Sequence, residues 1–428
     1  MVAVAVIIAA LLASTWLAMW RPIAGVFLWI ALFPVQLDTF QRLGFRLAPA
    51  DVVLAGLVVA TILRKLFLRQ GWAKVDGAFR AALLLLVWLI VATLSTLLSL
   101  GHIPSYVLIN KLLGLTLLVT SYWLVLETIR SRELVERSLE AFCWLGSAWN
   151  VVGLAAYGCW KYAGVLSPFI FYPRGEDRLT GLLVDPNAYG GFLAAVLLIQ
   201  LTLVAANRSK ISAWVWAPNT ALLFLGLALT YSRSAWLASL CGAVALVLHL
   251  ARRERIRLFG FALAALLVIL PVFLLASRTS ISEIWFLASR LPQITTRFSL
   301  VLDALRSFSS SPVWGIGVGV FATLPVSHGL IIHSTYFWLL AETGIVGLLL
   351  MGWFLVRVYL EARVSYKKGG CPRSRWIVLA GIASLATWLG FLVGIEGLYQ
   401  RHFWFLCATI GAYYLAEREQ RGEAGKVT

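Results

Sequence analysis

Charged residues are scarce in this sequence. Only 13% of its 428 residues are charged and 61% are hydrophobic, whereas about a quarter of the residues in a soluble domain are charged. An ordinary soluble protein is therefore excluded. The ten-residue segments of alternating polarity that are typical of a membrane barrel are also lacking. The composition predicts an all-α, polytopic membrane protein, with no nucleic acid among its partners, because the excess positive charge lies in loops beside apolar runs.

Cysteines are few and widely spaced. None of the five lies close to another in sequence, namely Cys143, Cys159, Cys241, Cys371 and Cys407. Neither a disulfide framework nor a zinc site is therefore predicted. The first apolar run also lacks a preceding charged region and an A-x-A-like cleavage site, so we expect it to be retained as a membrane segment.

Apolar runs recur along the chain, and a transmembrane helix needs about 20 such residues. We place them at 2–20, 23–36, 50–68, 81–100, 104–126, 138–158, 182–205, 213–230, 235–250, 258–276, 334–356, 376–394 and 402–416. They predict about 12 transmembrane helices, or 13, in one membrane domain at 1–416, followed by a disordered cytoplasmic tail at 417–428. Arg21 and Pro22 interrupt the first run and predict either a tight loop or a re-entrant element.

The loops divide into two alternating sets. One set is rich in lysine and arginine and is predicted to be cytoplasmic, at 64–80, 130–137, 208–210, 252–257 and 357–375. The long loop 277–333 belongs to the other set and faces outward. The outward positive residues are nearly all arginine, whose planar fork binds phosphate bidentately; an arginine-rich codon usage is the alternative explanation.

Two short outward segments carry candidate site residues. Arg178 is expected at the mouth of a span, with Asp185 and Asn187 about two turns inside the membrane, where they either face a cavity or cap and kink a helix. Arg233 lies in the tight turn Tyr231-Ser232-Arg233-Ser234, which holds it against the membrane surface. An arginine that only extends its side chain to the interface is the alternative.

The long loop contributes a third segment. Phe298, Val301, Leu302 and Leu305 follow helical spacing after Arg297, which predicts a short amphipathic helix on the membrane surface. The following Gly315-Ile-Gly317-Val-Gly319 does not follow a strand, so a dinucleotide site is rejected. These glycines instead predict a flexible loop or a close backbone approach.

The long loop ends at His333, at the outer end of a span. Its ordinary pKa of about 6.5 suits a general base, although an isolated interfacial histidine is also a common hydrogen-bonded anchor. Glu342 lies nine residues further on the same helix and points to the opposite face. We therefore expect Glu342 to be a buried structural acid that is bonded to a neighbouring helix and does not pair with His333.

Taken together, these segments resemble the O-antigen ligase family. The resemblance rests on R-L-T-G-L-L-V-D-P-N at 178–187, Y-S-R-S at 231–234, the arginine and glycine pattern from Arg297, and H-S-T-Y-x5-E-x-G-I-V-G at 333–347. Ser334 stands where asparagine often follows the histidine in the family. The resemblance implies a GT-C-like membrane glycosyltransferase in the bacterial inner membrane, which transfers a glycan from undecaprenyl diphosphate to a sugar hydroxyl of the lipid A core.

Such a displacement needs a base for the hydroxyl and positive charge for the departing diphosphate. We predict His333 as the periplasmic base and Arg178, Arg233 and Arg297, with Arg290, as the diphosphate-binding residues. Because the outward loops lack a DxD-like cluster, we expect a reaction that uses no metal and no cofactor. Because no carboxylate nucleophile is evident for a double displacement, we expect the reaction to invert the anomeric centre. An O-antigen polymerase, a protein O-oligosaccharyltransferase and a transporter remain the alternatives, the last with Lys111, Asp185 and Glu342 as its ionisable candidates.

Overall fold

A computed structural model describes residues 2–36, 48–165, 178–183, 185–205, 213–277, 291–327, 329–368 and 375–422. Helices dominate these residues and none of them forms a strand, which confirms the all-α prediction. The helices are α1 Val2–Trp20, α2 Pro22–Ala31, α3 Pro49–Leu68, α4 Gly77–Leu100, α5 Gly114–Thr128, α6 Arg132–Ala163, α7 Pro186–Ala205, α8 Ala213–Leu229, α9 Arg233–His249, α10 Arg252–Ser277, α11 Leu291–Ser310, α12 Thr335–Lys368, α13 Arg375–Phe391 and α14 Arg401–Gln420. A π-helix, Val107–Leu113, leads directly into α5.

Within the described ranges, five helical segments are long and apolar enough to cross a bilayer, namely Gly77–Leu100, Val107–Thr128, Arg132–Ala163, Pro186–Ala205 and Thr335–Lys367. Shorter apolar helices accompany them at Ala5–Trp20, Pro22–Ala31, Trp216–Leu229, Arg233–His249 and Arg375–Phe391. These segments are consistent with a multi-pass membrane protein. The count of 12 or 13 crossings stays a prediction.

The predicted interruption at Arg21 and Pro22 is confirmed. A Cβ added to Gly25 would lie only 3.5 Å from the Cβ of Ala18, so the chain folds back on itself between these two residues. Helix α2 has only 10 residues and ends at Ala31, short of the predicted end at residue 36. It is too short to span the hydrocarbon as a helix.

The described parts of the two predicted loop sets lie at opposite ends of the helices. At one end, the predicted cytoplasmic loops meet: Glu361 accepts hydrogen bonds from the backbone of Gly77 and Ala78, at 3.0 and 3.1 Å. At the other end, Arg401 binds Asp51 through two hydrogen bonds of 2.8 and 2.5 Å. His333 belongs to this second end, which is therefore called the His333 end.

The C-terminal boundary differs from the prediction. Helix α14 continues to Gln420, beyond the predicted start of a disordered tail at residue 417. Glu417 is only 2% exposed, because it accepts a hydrogen bond from the Tyr413 hydroxyl at 3.1 Å and forms an ion pair with Arg132 at 3.2 Å. Residues 423–428 lie outside the described residues.

The glycine-rich loop is inserted against a break in α12. Gly344 has φ 69° and ψ −172° within that helix, and Ile345 N–H donates to the Pro312 carbonyl at 2.9 Å. Ile316 N–H donates to the Ala341 carbonyl at 2.9 Å in the same clamp. A Cβ on Gly317, where φ is +109°, would lie 2.5 Å from the Thr96 nitrogen. The predicted close backbone approach is therefore confirmed.

Glu342 lies inside this clamp and is only 3% exposed. Its carboxylate accepts hydrogen bonds from Gly319 N–H at 2.7 Å and from Trp338 Nε1 at 2.6 Å. The prediction of a buried structural acid is confirmed. Its two partners, however, are a loop glycine and a tryptophan of its own helix, and not a neighbouring helix. Glu342 thereby ties the loop that follows α11 to the helix that follows His333.

Candidate active site

Arg178 joins two segments at the His333 end. Its side chain is largely buried, at 9% exposure. Its Nε donates to the Thr230 carbonyl at 2.8 Å, and its Nη2 donates to the Asn187 side-chain oxygen at 2.9 Å. The guanidinium plane is therefore fixed between the turn after α8 and the start of α7.

The sequence predicted that Asp185 and Asn187 lie about two turns inside a membrane span. The structure contradicts this prediction. Helix α7 begins only at Pro186, since proline is well suited to the first helical position. Asp185 is exposed and caps the helix, because its Oδ1 accepts from the Asn187 N–H at 2.9 Å. The capping alternative is therefore correct, and Asn187 links this cap to Arg178.

The turn that carries Arg233 is held in a constrained conformation. Tyr231 has φ 46°, in the left-handed region that residues other than glycine rarely adopt. The Ser232 hydroxyl then caps α9 by accepting from Ala235 N–H at 3.3 Å, so Arg233 is the first residue of that helix. Backbone strain of this kind is common at functional sites, and a helix N-terminus adds positive potential for an anion.

The starts of α7, α9 and α12 are connected by close packing. A Cβ on Gly190 would lie 2.7 Å from the Ala235 Cβ, and a Cβ on Gly394 would lie 2.8 Å from the Ser234 Cβ. Gly394 belongs to the loop after α13, and in this loop the Leu392 carbonyl accepts from Thr335 N–H at 3.0 Å. Arg233 and His333 are thus positioned by neighbouring parts of one packed layer.

The pKa of His333 is affected by burial and by the charge of Arg297. Burial lowers the pKa of His333 below its ordinary 6.5, and the positive charge of Arg297 lowers that pKa further, while the carboxylates of Asp185 and Glu396 oppose the shift. The imidazole is therefore kept neutral at pH 7 and able to accept a proton.

Arg297 is in turn affected by the other two arginines. Burial lowers the pKa of Arg297, and the charges of Arg233 and Arg178 lower it further, while Asp185 opposes them. Positive charge from three separate segments is therefore concentrated around Arg297, which in turn acts on His333. Such an arrangement favours an anionic ligand.

Arg297 reaches this region from α11, the amphipathic helix that the sequence predicted. Along it Leu300 and Ala304 are buried, at 4% and 1% exposure, whereas Phe298 is 63% exposed and Leu302 is 40% exposed. The helix therefore packs one side against the protein and presents apolar side chains on the other. This is the arrangement expected of a helix on a membrane surface.

Other predicted or outward arginines have different surroundings. Arg290 is a predicted diphosphate-binding residue that lies outside the described residues. Arg306 forms an i,i+3 ion pair with Asp303 at 2.8 Å, and its side chain is 77% exposed. Arg401 binds Asp51 away from this cluster, so the outward bias toward arginine reflects structural ion pairs as well as the candidate site.

The sequence did not single out Glu396, which the structure brings to the same region. Its Oε1 accepts a hydrogen bond from Lys111 Nζ, and the two side chains are 9% and 14% exposed. The one sequence signal for this region is Lys111, a single lysine inside an apolar run, which is a candidate only under the transporter alternative. No cluster of three or more His, Cys, Asp or Glu side chains in the described part of the chain is arranged to hold a metal ion.

The fold is consistent with a multi-pass helical membrane protein, and this cluster is a candidate anion-binding site at one end of it. The family model described as O-antigen ligase matches residues 218–352, and this match supports the assignment of the chain to the O-antigen ligase family. The matched residues include Arg233, Arg297 and His333, whereas Arg178 lies before them. A comparison of the chain with curated proteins gives no significant match.

Proposed function

We propose that the protein is an O-antigen ligase with a GT-C-like fold. It transfers a glycan from undecaprenyl diphosphate to a sugar hydroxyl of the lipid A core at the periplasmic face of the bacterial inner membrane. The observation that supports this proposal best is the concentration of positive charge from Arg178 and Arg233 around Arg297, whose own charge, together with burial, lowers the pKa of His333. The family match supports an activity on lipid-linked glycans more broadly.

His333 acts as the general base in the proposed reaction. The acceptor hydroxyl oxygen attacks the anomeric carbon of the donor glycan, and the bond from that carbon to the diphosphate oxygen breaks. The hydroxyl proton moves to the imidazole, and undecaprenyl diphosphate leaves as the anion. A single displacement of this kind inverts the anomeric centre, and general base catalysis typically contributes about 100-fold to 10,000-fold in rate.

The arginines bind the diphosphate and stabilise the negative charge that develops on it. Arg178 has a fixed guanidinium plane, Arg233 adds the potential of a helix N-terminus, and Arg297 comes from the surface helix α11. Arg290 remains a further candidate for the same role. Because these cations can take the part of a divalent ion, the proposed reaction requires no metal.

The lipid part of the donor has an approach from the bilayer in this proposal. The exposed apolar side chains of α11, including Phe298 and Leu302, place Arg297 at the boundary between membrane and water. A diphosphate at that depth allows its polyprenyl chain to remain among lipids. The acceptor, also a membrane lipid, reaches the site from the same surface.

The test is a transfer assay with purified protein, a defined glycan on undecaprenyl diphosphate, and lipid A core as the acceptor. His333→Ala should lower the rate at least 100-fold, by the order of magnitude given for a lost base. His102→Ala is the matched control, because His102 is exposed at the start of an outward loop and should leave the rate unchanged. Normal transfer by His333→Ala would show that the assigned base is wrong.

The acceptor is tested in parallel arms of the same assay. Transfer to lipid A core supports a ligase. Transfer only to a second lipid-linked glycan would indicate a polymerase, and transfer only to a pilin-like protein would indicate a protein O-oligosaccharyltransferase. Either of these last two results would overturn the proposed acceptor while leaving the donor site intact.

A further inference from the structure

Lys111 and Glu396 form a partly buried ion pair at the His333 end. The Lys111 ammonium also lies over two aromatic rings, 5.0 Å from the Trp338 centroid and 4.8 Å from that of Tyr399. Lys111 belongs to the π-helix Val107–Leu113, a rare conformation that is frequently found at functional sites. The ion pair and the two ring contacts therefore restrain the Lys111 side chain, and its backbone lies in an unusual helix.

Glu396 is fixed relative to His333 through the backbone on both of its sides. The Ile395 carbonyl accepts from the Thr335 hydroxyl at 2.8 Å, and Gly397 N–H donates to the same hydroxyl at 2.9 Å. Thr335 is the first residue of α12 and lies two positions after His333. The segment with Glu396 at its centre is thus bound to the start of the helix that His333 precedes.

A purely structural role explains this pair poorly. A buried ion pair is weak evidence for stability, because desolvation of the two charges offsets their attraction. Thr335 already fixes the loop through neutral hydrogen bonds. The charge on Glu396 therefore calls for a role beyond anchoring, and its carboxylate is one of two acids, with Asp185, that favour the protonated form of His333.

Proton transfer to His333 creates a new positive charge beside Arg297. That charge is unfavourable close to Arg297, and a nearby carboxylate reduces the cost. Asp185 is exposed and occupied as a helix cap, so solvent screens it. Glu396 is largely shielded from solvent, and its field is screened less.

We propose that Glu396, held in place by Lys111, is a positioning residue that stabilises the protonated His333 formed during glycan transfer. This inference rests on the proposed function. The charged groups that act on His333 are Arg297, Asp185 and Glu396. Loss of the Glu396 charge should therefore lower the pKa of His333.

The direct test is an NMR titration of purified protein labelled with ¹³C in its histidine rings. The His333 signal is identified by its loss in His333→Gln. In Glu396→Gln the pKa of His333 should fall by about half a pH unit, the order expected for one charge without direct contact. Asp303→Asn removes a carboxyl that is paired with the exposed Arg306, and it is the matched control with no expected shift.

A second variant guards against misfolding. Glu396→Gln leaves a partly buried lysine without its acid, which can be strongly destabilising, whereas Lys111→Met with Glu396→Gln removes both charges together. The double variant should also show a lowered pKa of His333, by a smaller amount than the single one, because loss of the adjacent Lys111 charge acts in the opposite direction. In each variant the acid limb of the pH–rate profile for glycan transfer should move to lower pH by as much as the pKa of His333 falls. The maximal rate should fall several-fold.

Two results would overturn the inference. If both variants kept the wild-type pKa of His333 and lost only thermal stability, the pair would be structural, and the proposed ligase activity would be unaffected. If the pKa shifted but His333→Ala retained full transfer, the reaction role of the pair would fail together with the proposed base. The two failures are thus distinguished by the titration.

Discussion

Replacement of Arg178 by lysine tests whether the arginine fork, and not charge alone, is needed. Arg178 uses two nitrogens of one plane, Nε to the Thr230 carbonyl at 2.8 Å and Nη2 to the Asn187 oxygen at 2.9 Å. A single ammonium group cannot reproduce both directions together with the contact to a phosphate. The variant keeps the positive charge and loses this geometry.

The size of the effect on kcat/KM follows from the loss of one hydrogen bond between the misplaced side chain and the phosphate. A hydrogen bond to a charged group contributes about 1.5–3 kcal/mol, and about 1.4 kcal/mol corresponds to a factor of ten. Arg178→Lys should therefore lower kcat/KM for glycan transfer about 10-fold to 100-fold. The assay is the transfer reaction with defined lipid-linked glycan, accompanied by a thermal melt of each variant.

Two matched variants separate binding from structure. Arg306→Lys changes an exposed ion pair, worth less than about 1 kcal/mol, and should leave kcat/KM within about threefold. Arg401→Lys breaks the double hydrogen bond to Asp51 and should lower Tm without a comparable loss of kcat/KM. If Arg178→Lys resembled Arg306→Lys, or if Arg401→Lys lost equal activity, the assignment of Arg178 to the diphosphate would be refuted.

Three further predictions follow from the site and the loop. Because burial and Arg297 lower the pKa of His333 from 6.5, the neutral base persists to lower pH. The half-maximum of kcat/KM should therefore lie below pH 6.5, and a half-maximum at pH 7 or above would contradict this. Gly317→Ala should lower the free energy of unfolding by about 2–5 kcal/mol, because Gly317 has a positive φ and an added Cβ would clash with Thr96. Gly329 has a positive φ but open space around it, so Gly329→Ala should lower the free energy of unfolding by only about 1–2 kcal/mol. Equal losses for the two variants in thermal or denaturant melts would exclude the clash. Transfer should also be insensitive to excess chelator, and a loss restored by magnesium would show that the arginines do not suffice.

Features set by local sequence were predictable. Long apolar runs gave the helices, as in α4 and α7, and helical spacing after Arg297 gave α11. The close backbone approach of Gly317 was also foreseen, because glycine is the residue that accepts such contact. Local sequence misplaced Asp185, since Pro186 marks the first turn of α7 whereas hydropathy alone began the span at residue 182, about one turn earlier.

Features set by distant contacts were not predictable. A single glycine at 344 is compatible with a continuous helix, and the break there depends on bonds to Pro312 and Ile316 from the preceding loop. The pairing of Lys111 with Glu396 joins residues far apart in sequence, and neither has a local motif. Similarly, burial and the charge of Arg297 lower the pKa of His333. Both effects require the folded chain.

The clamp at the break in α12 has a consequence for the distance between the two halves of the site. The hydrogen bond from Ile345 N–H to the Pro312 carbonyl closes the intervening chain into a non-covalent ring. Arg297 lies shortly before this ring, on the helix that runs into it, and His333 lies within it. The ring ties the loop after α11 to α12, so we expect Arg297, a proposed diphosphate-binding residue, and His333, the proposed base, to keep their separation even if the membrane around them thins or thickens.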